Sequence, residues 1–179
     1  MKLRETPLPG AYVVELEPIE DERGWFARTF DAAAFEELGL DAAVVQCNAS
    51  FNRRAGTLRG MHYQAEPHGE AKLVRCTRGA IFDVIVDLRP GSATTCRWFG
   101  IELRAGDAAS LFVPAGFAHG FQTLADDTEV HYQMSHHYVP DAARGVRWDD
   151  PAFGIEWPEP PPAGRVISER DSAYADYGP

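Results

Sequence analysis

Four side chains that can carry charge or exchange protons stand in short, distinctive stretches of this sequence. They are His62, Lys72, Tyr132 and Asp171. Imidazole titrates near neutral pH and suits proton transfer, while a lysine ammonium can stabilise a developing negative charge. The stretch around the histidine, TLRGMHYQ at 57–64, also holds Arg59 and Gly60. Glycine lacks a Cβ, so Gly60 predicts a close approach of the backbone to a ligand.

Composition bounds the class of protein. The chain has 179 residues, 45% of them hydrophobic and 25% charged, which predicts one globular domain over 1–179. Its net charge of −10 argues against a nucleic-acid or anionic-membrane partner, and no apolar run is long enough to span a bilayer. Cys47, Cys76 and Cys96 show no CxxC spacing, so we expect free thiols and a cytoplasmic location.

The elements that must position these side chains are mostly strands. Residues 80–88 alternate, with Ile81, Asp83, Ile85 and Asp87 forming a partly polar face. Further strands are predicted at 72–77, 97–104, 110–113 and 128–135, divided by turns such as RPGS at 89–92. This spacing of strands predicts an all-β sandwich or barrel.

Helix is predicted only after Asp31, which is placed as the N-cap of AAAFEELGL with Gly39 near its C-terminal end. PEPPPAG at 158–164 is expected to be an extended, stiff linker. If Asp171 is catalytic, this linker must carry it back over the mouth of the barrel.

Taken together, these motifs resemble the dTDP-4-dehydrorhamnose 3,5-epimerases of deoxysugar biosynthesis. The resemblance runs from about Arg23 to Asp171 and includes DERGWF, RGMHYQ, PAGFAHGF at 114–121, EVHYQM and ISERD. It implies a cupin-type jelly-roll barrel with a few short helices, helped by the Pro-x-Gly-x-x-His pattern at 114–119. It also implies an isomerase that inverts carbons 3 and 5 of a dTDP-4-keto-6-deoxyhexose through an enolate, without a cofactor.

The resemblance also implies catalytic roles. His62 matches the base, Asp171 the carboxylate that pairs with it, Tyr132 the acid on the opposite face, and Lys72 the cation near the ketone oxygen. Each has a plainer interpretation from the residues alone: Tyr132 is then only a wall of the site, and Asp171 a solvated carboxylate.

A second set of residues resembles the substrate contacts of that family, and the site is expected to be completed by the partner subunit of a homodimer. The set consists of Arg23, Arg28, Gln46, Asn48, Arg59, Lys72, His119, Tyr138 and Arg170. Arg23 and Arg59 match diphosphate contacts, and Tyr138 matches the ring that stacks on thymine. Arg28 and Ala143 stand where the family has acidic residues, which puts the nucleotide preference in doubt.

Metal chemistry is not expected. A metal-binding cupin would place histidine two residues after His62, where this chain has Gln64, a poor ligand for transition metals. Three alternatives stay open at this point: an epimerase that inverts only carbon 3 or carbon 5, a non-catalytic cupin that binds sugar nucleotides, and a metal-dependent cupin.

Overall fold

The computed structural model describes residues 1–178, and strands dominate it, as predicted. One sheet has six strands in the order β1 (Lys2–Glu5), β2 (Tyr12–Glu15), β10 (Ala109–Val113), β7 (Lys72–Arg78), β12 (Thr128–Met134) and β5 (Gln46–Asn52). The other has five, in the order β13 (Ala143–Gly145), β6 (Leu58–Gln64), β11 (Phe117–Thr123), β8 (Ala80–Asp87) and β9 (Trp98–Arg104). Neighbouring strands in both sheets are antiparallel.

The main core lies between the two sheets. Val74 and Val130 of the first sheet pack with Ile81, Ile85 and Phe121 of the second. The predicted strands agree with the observed ones to within a residue at either end. Inward-facing aliphatic and aromatic side chains therefore hold the two sheets together.

Strand β8 differs from the expected pattern because both of its faces are buried. Val84 and Val86 are covered by an outer layer that includes Phe153. The face that carries Asp83 and Asp87 is polar, as predicted, yet both aspartates are fully buried. A strand under two layers has no solvent-facing side, and its polar residues must find partners inside.

Asp87 satisfies that requirement completely. Its carboxylate accepts hydrogen bonds from the guanidinium and backbone N–H of Arg89 and from the hydroxyls of Ser92 and Thr94. Burial alone would raise the pKa of Asp87, but these bonds hold it far below its usual range. The turn at 89–92 is thereby fastened to the end of β8.

Within residues 1–178, helix is confined to two short α-helices and one 3-10 turn, Pro140–Ala142. Asp31 caps α1 (Ala32–Glu36) as predicted, its side chain accepting from the backbone N–H of Ala33. The helix is shorter than the predicted stretch, and the chain turns at Gly39, which has φ +68° and donates its N–H to Glu36. The second helix, α2 (Glu169–Ser172), lies in ISERD and was not predicted; Ser168 is its N-cap.

The segment after β13 brings α2 to the second sheet. The proline-rich stretch includes a turn in which the N–H of Gly164 donates to Pro161. Val166 then forms a parallel bridge with Thr57, just before β6. The linker therefore returns the chain to the second sheet, as it must if Asp171 is to reach the barrel.

A small hairpin, β3 (Ile19–Asp21) and β4 (Gly24–Phe26), stands apart from both sheets. Its Ile19 and Phe26 side chains are 70% and 73% exposed. Within residues 1–178, no helix is both long and apolar enough to cross a membrane.

Candidate active site

A bulge in β6 places Arg59 and His62 on the same side of the sheet. His62 pairs with His119 of β11, and Arg59 pairs with Phe121, so three residues of β6 span two residues of β11. In a regular strand, positions three apart face opposite sides, and the extra residue of the bulge cancels that alternation. Both side chains line one small cavity of about 150 Å³.

Gly60 has a different role from the predicted one. A Cβ at this position would lie 2.5 Å from the Cα of Gly120 on β11, so the close approach is between two strands, not between backbone and ligand. Its φ of +130° is also one that other residues rarely adopt. Its N–H donates to Asp171 Oδ2 at 3.2 Å.

His62 and Asp171 form a hydrogen-bonded pair, with 2.7 Å between His62 Nε2 and Asp171 Oδ1. The imidazole is 43% exposed, whereas the carboxylate is 7% exposed. Burial would raise the pKa of Asp171, but the bond to His62 and the Gly60 N–H outweigh it and lower that pKa. The carboxylate stays ionised near neutral pH, where it orients the imidazole and can stabilise its protonated form.

Lys72 is buried at the start of β7 and is also paired. Its ammonium lies 3.1 Å from Glu70 Oε1 and donates to the carbonyl of His62 at 3.3 Å. The other oxygen of Glu70 accepts from the amide of Gln64 at 2.9 Å. Lys72 is thus held beside His62 as a fixed cation lining the small cavity.

Tyr132 comes from β12 of the opposite sheet and lines the same cavity as His62. Burial raises the pKa of its hydroxyl, Glu70 adds to the rise, and the positive charge of Arg59 opposes it. The phenol therefore keeps its proton at neutral pH and remains available as a donor. A molecule bound in the cavity would lie between His62 and Tyr132.

A second histidine–carboxylate pair lies in the wall of the cavity. His119 Nε2 is 2.7 Å from Asp83 Oδ1, and both side chains are nearly or fully inaccessible to solvent. Asp83 Oδ2 is buried without a hydrogen-bond partner. Since Nε2 is engaged, His119 has only Nδ1 left for a ligand.

A larger cavity of about 370 Å³ adjoins the small one, and His62 and Tyr132 line both. It brings together most of the predicted nucleotide contacts, Gln46, Asn48, Tyr138 and Arg170. Ala143, which replaces a family acid, also lines it. The hydrogen bond from Arg170 to the Tyr174 hydroxyl, with a smaller effect of Tyr138, raises the pKa of the guanidinium, which stays cationic at this wall.

Arg23 and Arg28 are not brought to either cavity of this protomer. Arg23 lies in the turn of the β3–β4 hairpin and pairs with Asp21. Arg28 pairs with Asp31 at the N-terminus of α1 and is largely exposed. Their predicted contact with substrate would have to be made in a neighbouring subunit.

Sequence reasoning missed the partners of the catalytic candidates. Glu70 pairs with Lys72, and Asp83 pairs with His119. Neither Glu70 nor Asp83 lies in one of the motifs that carry the family resemblance. Asp83 did leave a signal, because an aspartate inside an apolar strand needs a specific partner. Glu70 left none in sequence.

Gln64 and the remaining histidines do not assemble a metal site. The Gln64 amide bonds to Glu70, to the carbonyls of His68 and His137, and to the N–H of Val139. Among the residues described, no group of three or more His, Cys, Asp or Glu is placed to hold a metal ion. Gln64 instead fixes the loop that carries Glu70.

Fold and site together define an enzyme built for acid–base chemistry on the inner wall of a β-barrel. Its sequence matches the model of the family described as dTDP-4-dehydrorhamnose 3,5-epimerase over residues 5–177. The chain belongs to this family. The predicted resemblance is thereby confirmed.

Relatives and solved structures agree. The dTDP-4-dehydrorhamnose 3,5-epimerase of Sinorhizobium fredii is 48% identical over 153 residues, which are 86% of this chain and 77% of the relative. The crystal structure of the enzyme of that name from Elizabethkingia anophelis superposes with a TM-score of 0.94 at 39% identity, covering 99% of this chain and 96% of that one.

A third comparison carries a ligand. The dTDP-6-deoxy-D-glucose-3,5-epimerase of Legionella pneumophila, solved with dTDP-4-keto-L-rhamnose, superposes with a TM-score of 0.90 at 34% identity. The match covers 97% of this chain and 90% of that one. The jelly-roll prediction is confirmed by these neighbours.

Proposed function

We propose that this protein is a dTDP-4-dehydrorhamnose 3,5-epimerase, which inverts carbons 3 and 5 of a dTDP-4-keto-6-deoxyhexose in deoxysugar biosynthesis. The observation that carries the proposal is a cavity lined from one sheet by His62, paired with Asp171, and from the other sheet by Tyr132. Epimerisation next to a ketone needs a base on one face and a proton donor on the other.

The first step is removal of a proton. His62 takes the proton from the carbon beside the ketone, and the C–H bonding electrons move toward the carbonyl oxygen to give an enolate. Asp171, ionised and held by Gly60, stabilises the imidazolium that forms. Lys72 stabilises the negative charge that develops on the enolate oxygen, and its ion pair with Glu70 keeps the ammonium in place.

The second step returns a proton from the other face. Tyr132 donates its hydroxyl proton to the carbon, the enolate collapses to the ketone, and the centre is inverted. The raised pKa of Tyr132 favours a protonated donor before the step. The resulting tyrosinate is reprotonated by solvent through the open side of the larger cavity.

The nucleotide end is assigned to the larger cavity. Arg170, in the wall of the larger cavity, and Arg59, in the wall of the adjoining small one, supply positive charge for the diphosphate, and Tyr138 supplies an exposed ring on which thymine can stack. Gln46 and Asn48 supply amides from β5, and the Nδ1 of His119 reaches the sugar. These are local cations and donors in a protein whose net charge is −10.

Incubation with dTDP-4-keto-6-deoxyglucose in deuterated water tests the proposal. We expect deuterium at carbons 3 and 5, measured by NMR and mass spectrometry of the recovered sugar. Deuterium at one carbon would make the protein a single-site epimerase. Deuterium at neither carbon, with dTDP still bound, would make it a non-catalytic binder and refute the proposal.

The finer proposal is a homodimer in which each active site borrows Arg23 and Arg28 from the partner. The exposed Ile19 and Phe26 of the hairpin, and the free edge of β5, offer an apolar surface for that contact. The pairing of Arg23 with Asp21, away from this protomer's cavities, supports the same arrangement.

A mixed dimer tests the borrowed arginine. His62→Asn and Arg23→Glu are each expected to inactivate the enzyme, but mixing the two after unfolding and refolding should restore activity. One site of the mixed dimer then has both an intact His62 and an intact Arg23. No recovery, with mixed dimers demonstrated by mass spectrometry, would place Arg23 outside the partner's site.

Three further expectations belong to the proposal. The residues 1–179 work as a single domain in the cytoplasm, where free thiols such as Cys47, Cys76 and Cys96 are stable. No metal and no cofactor take part, because Lys72 supplies the charge that the enolate requires. Activity that is lost on exhaustive chelation and restored by one specific ion would overturn the last of these.

A further inference from the structure

The C-terminal segment contributes one aromatic side chain to the edge of the active site that the proposed mechanism does not use. The ring of Tyr174, two residues beyond α2, lies edge-on to His62, with centroids 6.3 Å apart and planes at 74°. This distance and angle are those of an edge-to-face aromatic contact. The hydroxyl of the same residue accepts a hydrogen bond from Arg170 Nε at 3.1 Å.

Gly145 makes room for this ring. A Cβ added to Gly145 would lie 2.2 Å from Tyr174 Cζ and 2.3 Å from Cε2, closer than any real side-chain contact. Gly145 pairs with His62 across β13 and β6, which explains why a ring seated on the glycine also meets the imidazole. Its φ is not in the left-handed region, so the missing side chain and not the backbone is what this position requires.

Arg170 connects Tyr174 to the larger cavity. Its side chain lines that cavity together with Tyr138, and its Nε donates to the Tyr174 hydroxyl. A long, flexible arginine held in this way loses less conformational freedom when it meets an anion. The exposed surface of Arg170 would otherwise leave it free to sample many rotamers.

We propose that Tyr174 is a positioning residue with two separable parts: its hydroxyl holds Arg170 ready for the substrate diphosphate, and its ring holds the His62 imidazole against Asp171. This inference rests on the proposed function. It assigns the two ends of one side chain to the two halves of the reaction, binding and proton transfer. Tyr174 itself lines neither cavity, so we assign it no contact with the sugar or the reacting atoms.

Substitutions can separate the two parts. Tyr174→Phe removes only the hydroxyl, and we expect dTDP to bind five- to tenfold more weakly and KM to rise equally, with kcat within twofold of wild type. Tyr174→Ala removes the ring as well, and kcat should then fall about tenfold, less than the roughly 100- to 10,000-fold that general acid–base catalysis contributes, because His62 is displaced but not removed. The acid limb of its kcat–pH profile should also move, because His62 has lost a neighbour.

Two matched variants complete the test. Tyr177→Phe, in the same segment but packed on Phe153, should change neither quantity. Gly145→Ala should push the Tyr174 ring aside and reproduce the effect of Tyr174→Ala without touching the tyrosine. A Gly145→Ala enzyme that keeps wild-type kcat would refute the positioning role of the ring.

One measurement is independent of activity. Exchange of the Arg170 Nε proton with solvent, followed by NMR, should be at least fivefold faster in Tyr174→Phe than in wild type and unchanged in Tyr177→Phe. Equal exchange rates in all three proteins would refute the hydroxyl half of the inference. Failure of the proposed function would look different: wild-type protein itself would show no deuterium incorporation, while the exchange rates still decided the Tyr174 contact.

Discussion

The two histidine–carboxylate pairs of this protein have their histidines side by side on adjacent strands of one sheet, His62 on β6 and His119 on β11, but they differ in how they are assembled. His119 and Asp83 lie on adjacent strands, where the pairing of Phe121 with Asp83 makes them diagonal neighbours. Asp171 reaches His62 from a distant helix, 109 residues along the chain. One pair is a product of sheet register, and the other of a tertiary connection.

The two pairs also differ in solvent access. The His62 imidazole is 43% exposed and can exchange protons with a substrate, whereas His119 is 9% exposed. Both oxygens of Asp171 are hydrogen-bonded, but only one of Asp83 is. The His62–Asp171 pair, which is accessible and fully hydrogen-bonded, suits proton transfer. The buried His119–Asp83 pair suits a fixed hydrogen-bond donor that does not exchange protons during the reaction.

The largest expected effect is on catalysis by His62. His62→Asn should slow deuterium incorporation at both carbons by about 100- to 10,000-fold, because its neighbour on that wall, His119, is buried against Asp83 and cannot replace it as the base. His119→Asn should slow it by only about tenfold, since binding and not proton removal is affected. His131→Asn, on the other face of β12 from Tyr132, serves as the control. A larger loss from His119→Asn than from His62→Asn would reverse the assignment.

The free energy of unfolding should show the opposite order, with a larger loss for a substitution at His119 than at His62. His119→Ala leaves Asp83 buried without its partner and should lower the free energy of unfolding by about 3–5 kcal/mol. His62→Ala leaves Asp171 with the Gly60 N–H as a partner and opens its other oxygen toward solvent, so it should cost less, about 1–2 kcal/mol. Urea denaturation of both variants at pH 7 measures the difference. Equal losses would mean that burial does not distinguish the two pairs.

Tyr132→Phe tests the proposed proton donor that the other sheet contributes to the cavity of His62. The ring is kept and packing should change little, so His62 should continue to remove protons and admit deuterium. Inverted product should fall by about 10- to 100-fold because the donor is missing. Product formed at the wild-type rate would leave Tyr132 as packing alone.

The smallest effect concerns pH and Asp171. Its pKa is lowered in the folded protein from the ordinary 3.8, so its stabilising contribution is present above that value and is lost as pH falls through the folded pKa. Wild type should exceed Asp171→Asn by about 1–3 kcal/mol in unfolding free energy at pH 6, the scale of a charged hydrogen bond.

The difference should shrink below about pH 4, since the Asp171 carboxyl of the unfolded chain then takes up a proton while that of the folded protein, with its lowered pKa, is still ionised. Unfolding followed by fluorescence at pH 6, 4 and 3 measures it. A difference that grew on acidification would contradict the lowered pKa.

Much of this protein could be predicted from sequence because the signals are local. Alternation in 80–88 marks β8, Asp31 marks the start of α1, and the contiguous motifs around His62 and Tyr132 identify the family. Each depends on residues a few positions apart, whose periodicity or capping chemistry needs no distant partner.

Tertiary structure decided which side chains meet. The bulge that turns Arg59 and His62 to one side depends on the register with β11, and Gly60 serves strand packing and Asp171, not a ligand. The sequence predicted that Asp171 had to return to the barrel, but the Val166–Thr57 bridge and α2 decided how. Glu70, Asp83 and Tyr174 took their places only on folding, because buried charges and aromatic contacts are determined by neighbours that lie far apart in the chain.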